Sequence, residues 1–224
     1  MRTETFKING YDATIIIPEN PNGKWIWKTE FFYAFDQAER ALFERGYTRV
    51  YYQISDKFGS THAVRLMRDF QSELLKRYTF LQPKGILFGF SRGGLYAFNY
   101  ALYYPDNVEK IYLDAPVLNL KSWPKEDYDV EMLFKEYKLN EAAFEIFQDS
   151  PIDHLEEFAK NGIPILLIAG DSDSIVPYKE NGQVCVEYYQ SIGRPITVYL
   201  KKGCEHHPHS LEDVEPIIEF LEKE

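Results

Sequence analysis

The hydrophobic positions of this chain change period repeatedly. Thr3 to Ile8 and Ala13 to Ile17 alternate or run apolar on either side of Asn9-Gly10, a pair suited to the positive φ angles of a tight hairpin. After the loop Pro18 to Gly23, Lys24-Trp25-Ile26-Trp27 reads as a short strand. Phe31, Phe32, Phe35, Ala38, Ala41 and Leu42 then fall on one helical face, and Gly46 ends the helix. Arg49 to Ile54 is a strand, and Val64, Met67, Leu74, Leu75 and Tyr78 mark a helix. Ile86 to Phe90 is a buried-type strand leading directly into a helix over Gly93 to Tyr103. Strands over Lys110 to Leu113, Pro164 to Ala169 and Ile196 to Leu200 follow. The second and third are separated by a helix over Val184 to Ile192. Val214, Ile217, Ile218 and Leu221 give a last amphipathic helix, with Ser210 and Asp213 as candidate caps.

A hairpin followed by strand–helix repeats requires a mostly parallel sheet covered by helices on both faces. The rhythm breaks between about residues 120 and 162. There Trp123-Pro124 and two short helices, over Val130 to Tyr137 and Asn140 to Phe147, replace any strand. An insertion between two strands forms a small helical cap over the strand ends, where open α/β sheets bind ligands. The expectation is one α/β domain over residues 1–224 with a cap insertion at about 120–162.

Composition narrows the function. Acidic residues outnumber basic ones 35 to 25, a formal charge of -10, which disfavours nucleic acid and anionic membrane surfaces as partners. The longest apolar stretch, Ile163 to Ala169, is too short to span a bilayer. No export signal opens the sequence, so a cytoplasmic location is expected. Cys185 and Cys204 are too few for a disulfide scaffold and read as packed residues.

The chemistry concentrates at strand ends. Gly89-Phe90-Ser91-Arg92-Gly93 matches G-x-S-x-G between a strand and a helix. An abrupt strand-to-helix turn strains the serine backbone, and the two glycines let neighbouring chain pass without a Cβ. Ser91 then stands at a helix N-terminus, where developing negative charge is favoured. A serine needs a base, and the base needs an orienting carboxylate. Asp171 and Asp173 follow the strand ending at Ala169, and His206, His207 and His209 follow the one ending at Leu200. The order is Ser, Asp, His, with all three on one sheet edge.

Over nearly its whole length the chain resembles the α/β-hydrolases. In that family the acid takes the first position of a D-x-x-V-P stretch, here Asp173. Asp171 is then a turn residue, and Asp114, in Tyr112-Leu113-Asp114-Ala115-Pro116, occupies an alternative acid position. The family's Gly-x-x-His stretch selects His206 as base. His207 is left as a loop-packing group and His209 as a candidate substrate contact. No metal is expected at these histidines, because the nearby carboxylates already have work. The resemblance implies no cofactor. The oxyanion donors it implies are the backbone N–H groups of Arg92 and of a residue after Trp27. Lys28-Thr29-Glu30 replaces the family's His-Gly there, leaving Thr29 as the candidate. The Arg92 side chain is expected to pair with a carboxylate, Trp25 and Trp27 to pack in the core, and Trp123 to lie near substrate.

Trp25-Ile26-Trp27, Ser122-Trp123-Pro124 and His206 to His209 further resemble small bacterial hydrolases found beside carbohydrate-degrading enzymes. The implied activity is hydrolysis of carboxylic esters carrying short acyl or O-acetyl groups, on small molecules that include carbohydrates. Two alternatives stand: a peptidase of the prolyl-oligopeptidase type, and a non-catalytic ligand-binding module on the same fold.

Overall fold

The computed structural model describes residues 1–223. Eight strands form one sheet in the order β1-β2-β4-β3-β5-β6-β7-β8. They are β1 (Arg2–Ile8), β2 (Tyr11–Ile17), β3 (Trp25–Lys28), β4 (Thr48–Tyr52), β5 (Gly85–Phe90), β6 (Val108–Asp114), β7 (Ile165–Gly170) and β8 (Thr197–Lys201). β2 is antiparallel to both its neighbours and every other pairing is parallel, so β2 alone runs against the rest. The hairpin that starts the sheet turns at Asn9 and Gly10, with φ of 50° and 85°.

The period-two alternation of the central strands divides the core. Ile86, Phe88 and Phe90 of β5, Tyr112 of β6, and Leu166 and Ile168 of β7 face one side. There Ala38 and Leu42 of α1 (Gln37–Glu44) and Ile217, Ile218 and Leu221 of α8 (Glu215–Glu222) cover them. Leu87, Ile111, Leu113, Ile165 and Leu167 face the other side, which packs on α2 (Thr61–Arg77), α3 (Gly93–Tyr103) and α7 (Gly182–Ser191). Trp25 and Trp27 both lie in this larger core, stacked 6.2 Å apart, with Phe70 4.7 Å from Trp27. Truncating Trp27 to Ala would cost about 3–5 kcal/mol.

Strand register sets the site. Phe90 pairs with Asp114, Asp114 with Ile168, and Gly170 with Lys201, so β5 to β8 end at one edge. The segment between β6 and β7 holds α4 (Asp127–Tyr137), α5 (Glu141–Glu145), a 3₁₀ turn over Pro151–His154 and α6 (Leu155–Lys160), one helix more than the pattern suggested. It is tied to the loop after β4, where Tyr137 donates to the Phe58 carbonyl at 3.0 Å and Ser60 to Glu136 at 2.7 Å.

Two expectations change. The helix expected from Phe31 begins only at Gln37, and Phe31 and Phe35 have φ of 57° and 50°. Buried cations hold the intervening carbonyls: Lys28 donates to Ala34 O and Arg49 to Phe32 O, contacts a continuous helix would forbid. At α8, Asp213 accepts from the Glu215 N–H, while the Ser210 N–H donates to Asp114 instead. No helix of the described residues is long and apolar enough to cross a membrane.

Candidate active site

Ser91 joins β5 to α3 with φ 50°, a left-handed conformation costly for a residue with a Cβ. Three backbone hydrogen bonds hold it there. Its N–H donates to Asp114 O, and its carbonyl accepts from Gly94 and Val117, all at 2.9 Å. The flanking glycines are sterically required. A Cβ at Gly89 would stand 2.8 Å from that of Ala97, and one at Gly93 would stand 2.9 Å from Thr29 Oγ1.

The structure brings Ser91, His206 and Asp173 into one chain of contacts. His206 Nε2 lies 3.0 Å from Ser91 Oγ, and His206 Nδ1 lies 2.7 Å from Asp173 Oδ2. All three residues are buried. Asp173 Oδ1 accepts from the N–H groups of Ile175 (2.9 Å) and Val176 (2.8 Å). Burial pushes the Asp173 pKa up. The His206 hydrogen bond and charge and these two N–H groups push it down harder, so it sits below the ordinary aspartate value. Asp171 is exposed and accepts from the Gly203 N–H at 2.6 Å, tying the loop after β7 to the one after β8.

A second imidazole–carboxylate pair stands beside the first. His209 Nδ1 is 2.8 Å from Asp114 Oδ1, and the other Asp114 oxygen accepts from Tyr112 OH (2.6 Å) and Ser210 N–H (2.7 Å). Asp114 therefore serves His209 and not His206. Burial, then the Asp114 charge and hydrogen bond, push the Tyr112 phenol well above its usual value, so it remains a donor. His207 is exposed and stacks on Phe35 at 5.6 Å. Burial and then the neighbouring His209 and His206 lower its pKa.

Phe31, Ala34, Phe35, Phe90, Ser91, His206, His207 and His209 line a cavity of about 220 Å³. Trp123 is not among them, because it packs against Phe58 at 6.1 Å beside the larger core. A larger cavity, about 300 Å³, lies at the opposite edge of the sheet around Pro164 and Pro195, away from these groups.

Thr29 does not offer the donor expected of it. Its N–H donates to Phe88 O at 3.0 Å, and its hydroxyl lies 3.1 Å from Phe88 O and 2.9 Å from Gly93 O. The replacement of His-Gly by Lys28-Thr29-Glu30 has a packing reason. Lys28 forms a buried ion pair with Glu39 at 2.6 Å, and Glu30 accepts from Arg92 Nη2 at 3.2 Å and from Ser55 Oγ at 3.1 Å. Burial lowers the Lys28 pKa and raises that of Glu30. Neither charge pair was foreseen in full. Only the Arg92 half had a signal, a cation in a tight turn needing a carboxylate.

A family model for the alpha/beta hydrolase fold matches residues 52–150. No curated protein matches the sequence. Among solved structures, a Mycobacterium tuberculosis puromycin-hydrolyzing peptidase is similar with a TM-score of 0.73 and 16% identity, over 92% of this chain and 36% of that one. Porphyromonas gingivalis dipeptidyl peptidase 4 gives 0.68 and 12%, over 92% and 32%. A Pyrococcus horikoshii acylaminoacyl peptidase gives 0.66 and 18%, over 92% and 37%. The chain spans roughly a third of the length of each.

Proposed function

From the α/β-hydrolase fold of this chain, we propose that it is a serine hydrolase cleaving small carboxylic esters with short acyl groups, O-acetyl esters of carbohydrates included. The observation that carries the reading is the 3.0 Å contact of Ser91 Oγ with His206 Nε2, on an imidazole whose Nδ1 is held at 2.7 Å by Asp173.

Ser91 Oγ attacks the acyl carbon as His206 Nε2 takes its proton. Asp173 fixes the tautomer in which Nε2 is bare and stabilises the imidazolium that forms. The Arg92 N–H, at the start of α3, donates to no carbonyl or side chain among the described residues and serves the oxyanion. With Thr29 engaged, the second donor falls to Glu30 or Phe31, whose N–H groups are likewise uncommitted among the described residues. His206 then protonates the departing alcohol. The same imidazole then takes a proton from water, the hydroxide attacks the acyl carbon, and the imidazolium gives that proton to Ser91 Oγ as the carboxylic acid leaves. Apolar walls at Phe31, Ala34, Phe35 and Phe90 suit a small acyl group.

The peptidase names of the three similar structures favour a second reading, hydrolysis of peptide or acylamino amides. A burst of alcohol release from a chromogenic acetate ester, with faster turnover of acetylated sugars than of peptide amides, supports the ester reading. Preference for the amides selects the second, and no burst or turnover on either panel leaves a ligand-binding module.

A further inference from the structure

The rings of His206, His207 and His209 form a nearly equilateral triangle, each centroid 4.9 Å from the other two, with interplanar angles of 68°, 79° and 89°. One nitrogen from each lies within 4.8 Å of the others. A tetrahedral zinc ion with imidazole ligands at about 2.0–2.1 Å sets ligand nitrogens about 3.4 Å apart and ring centroids about 5 Å apart. The centroids already have that spacing. The nitrogens must draw closer than 4.8 Å, and the exposed His207 ring has the most room to move.

Two of the three rings are backed as metal ligands are. An imidazole that binds a metal through one nitrogen commonly gives its other N–H to a carboxylate, which fixes the tautomer and strengthens the ligand. His206 gives Nδ1 to Asp173 and His209 gives Nδ1 to Asp114, both carboxylates buried. No metal is expected where nearby carboxylates already have another assignment, yet the fold puts two of them behind the histidines. Their negative charge also favours a divalent cation in the cavity. With imidazoles and no thiolate among the facing groups, the donor set suits zinc and disfavours magnesium or calcium, which take oxygen.

We propose that His206, His207 and His209 form an inhibitory zinc site, in which the ion replaces Ser91 as the partner of His206 Nε2 and removes the base from the serine. The inhibition rests on the serine-hydrolase reading; the binding does not. In the purified wild-type protein, micromolar zinc chloride should stop ester hydrolysis, EDTA should restore it, and magnesium chloride should have no effect. Scored against its own zinc-free rate, His207→Ala should raise the zinc midpoint at least about tenfold, and Asp114→Asn by about 10–100-fold. Binding is read separately on Ser91→Ala with cobalt(II) chloride, whose visible absorption reports a tetrahedral nitrogen site. The absorption should form in that variant and be lost when His207→Ala is added. Absence of the absorption in Ser91→Ala, or a zinc midpoint unchanged by His207→Ala, overturns the proposal. Cobalt binding in a protein that hydrolyses neither ester nor amide would keep the metal site and retire the hydrolase reading instead.

Discussion

Two buried imidazole–carboxylate pairs share one cavity wall, and their closest contacts are nearly the same length, 2.7 Å for His206–Asp173 and 2.8 Å for His209–Asp114. What separates them is the partner of the other nitrogen and the anchoring of the acid. His206 turns Nε2 to Ser91 Oγ at 3.0 Å, whereas His209 has no such contact with the serine. Asp173 sits in a loop and is held by two backbone N–H groups, while Asp114 ends a central strand and is held by a phenol and a backbone N–H. Two pairs of the same make-up, with ring centroids 4.9 Å apart, thus differ in what the second imidazole nitrogen meets and in how the acid is anchored.

The sharpest way to break this contrast is at the nucleophile. Ser91→Ala should lower kcat by about 10⁴–10⁶, and His206→Ala by a similar factor, since groups acting as one unit lose most of their effect together. His209→Ala should retain kcat within about tenfold of wild type. An organophosphonate should label Ser91 alone, read by peptide mass. A Ser91→Ala protein keeping a tenth of its turnover would end the distinction.

The acids come next. Asp173→Asn should slow turnover by about 10⁴ at nearly unchanged KM, because an amide holds the wrong imidazole tautomer. Asp114→Asn should act on stability. It replaces a buried carboxylate that accepts three hydrogen bonds, a loss of about 1–3 kcal/mol, which in a chain of this size lowers Tm by several degrees. Steady-state kinetics and thermal melts on both variants decide. A larger kinetic loss in Asp114→Asn at wild-type Tm would exchange the two roles.

This contrast was only half legible in the sequence. Ser91 was readable because G-x-S-x-G between a strand and a helix is a steric requirement written in local residue types, and the apolar runs located the strands after which Asp173 and His206 stand. The second imidazole–carboxylate pair was not. Asp114 was visible as an alternative acid, but its pairing with His209 joins residues 95 apart through the packing of two strand-end loops. Phe31 and Phe35 share a helical face with Ala38 and Leu42, and that periodicity misleads. The cations that pull their segment out of a helix, Lys28 and Arg49, sit on the flanking strands and act through side-chain hydrogen bonds that apolar periodicity does not register. Thr29 failed as a donor for a related reason: its N–H extends the β3–β5 ladder to Phe88.

A double-mutant comparison has a smaller expected effect. Asp173→Asn added to His206→Ala should cost almost no further kcat, while Asp114→Asn added to His209→Ala should cost little further Tm. The coupling should then equal nearly the whole single effect of each aspartate, about 5.5 kcal/mol in kcat for Asp173 and about 1–3 kcal/mol in stability for Asp114. Additive losses in either pair would mean that its two members act through different neighbours.

The smallest effect is in acid stability, and its sign follows from the environment of Asp173. Burial opposes its ionisation, but the hydrogen bond and charge of His206 and the N–H groups of Val176 and Ile175 outweigh burial, leaving the folded pKa below the unfolded one. A group with a depressed folded pKa binds protons more readily unfolded, so it stabilises the native state above its unfolded value, near 3.9 for a free aspartate. That contribution must disappear as pH falls through the lower, folded value. In thermal melts from neutral pH downward, the wild-type Tm should therefore fall more steeply than that of Asp173→Asn once pH drops below about 4, and the gap between them should narrow. The asparagine cannot titrate, so it removes this share of the acid sensitivity and leaves the rest. Parallel curves would show that the loop N–H groups do not hold a carboxylate at position 173. Asp173 would then lose the anchoring that distinguishes it from Asp114.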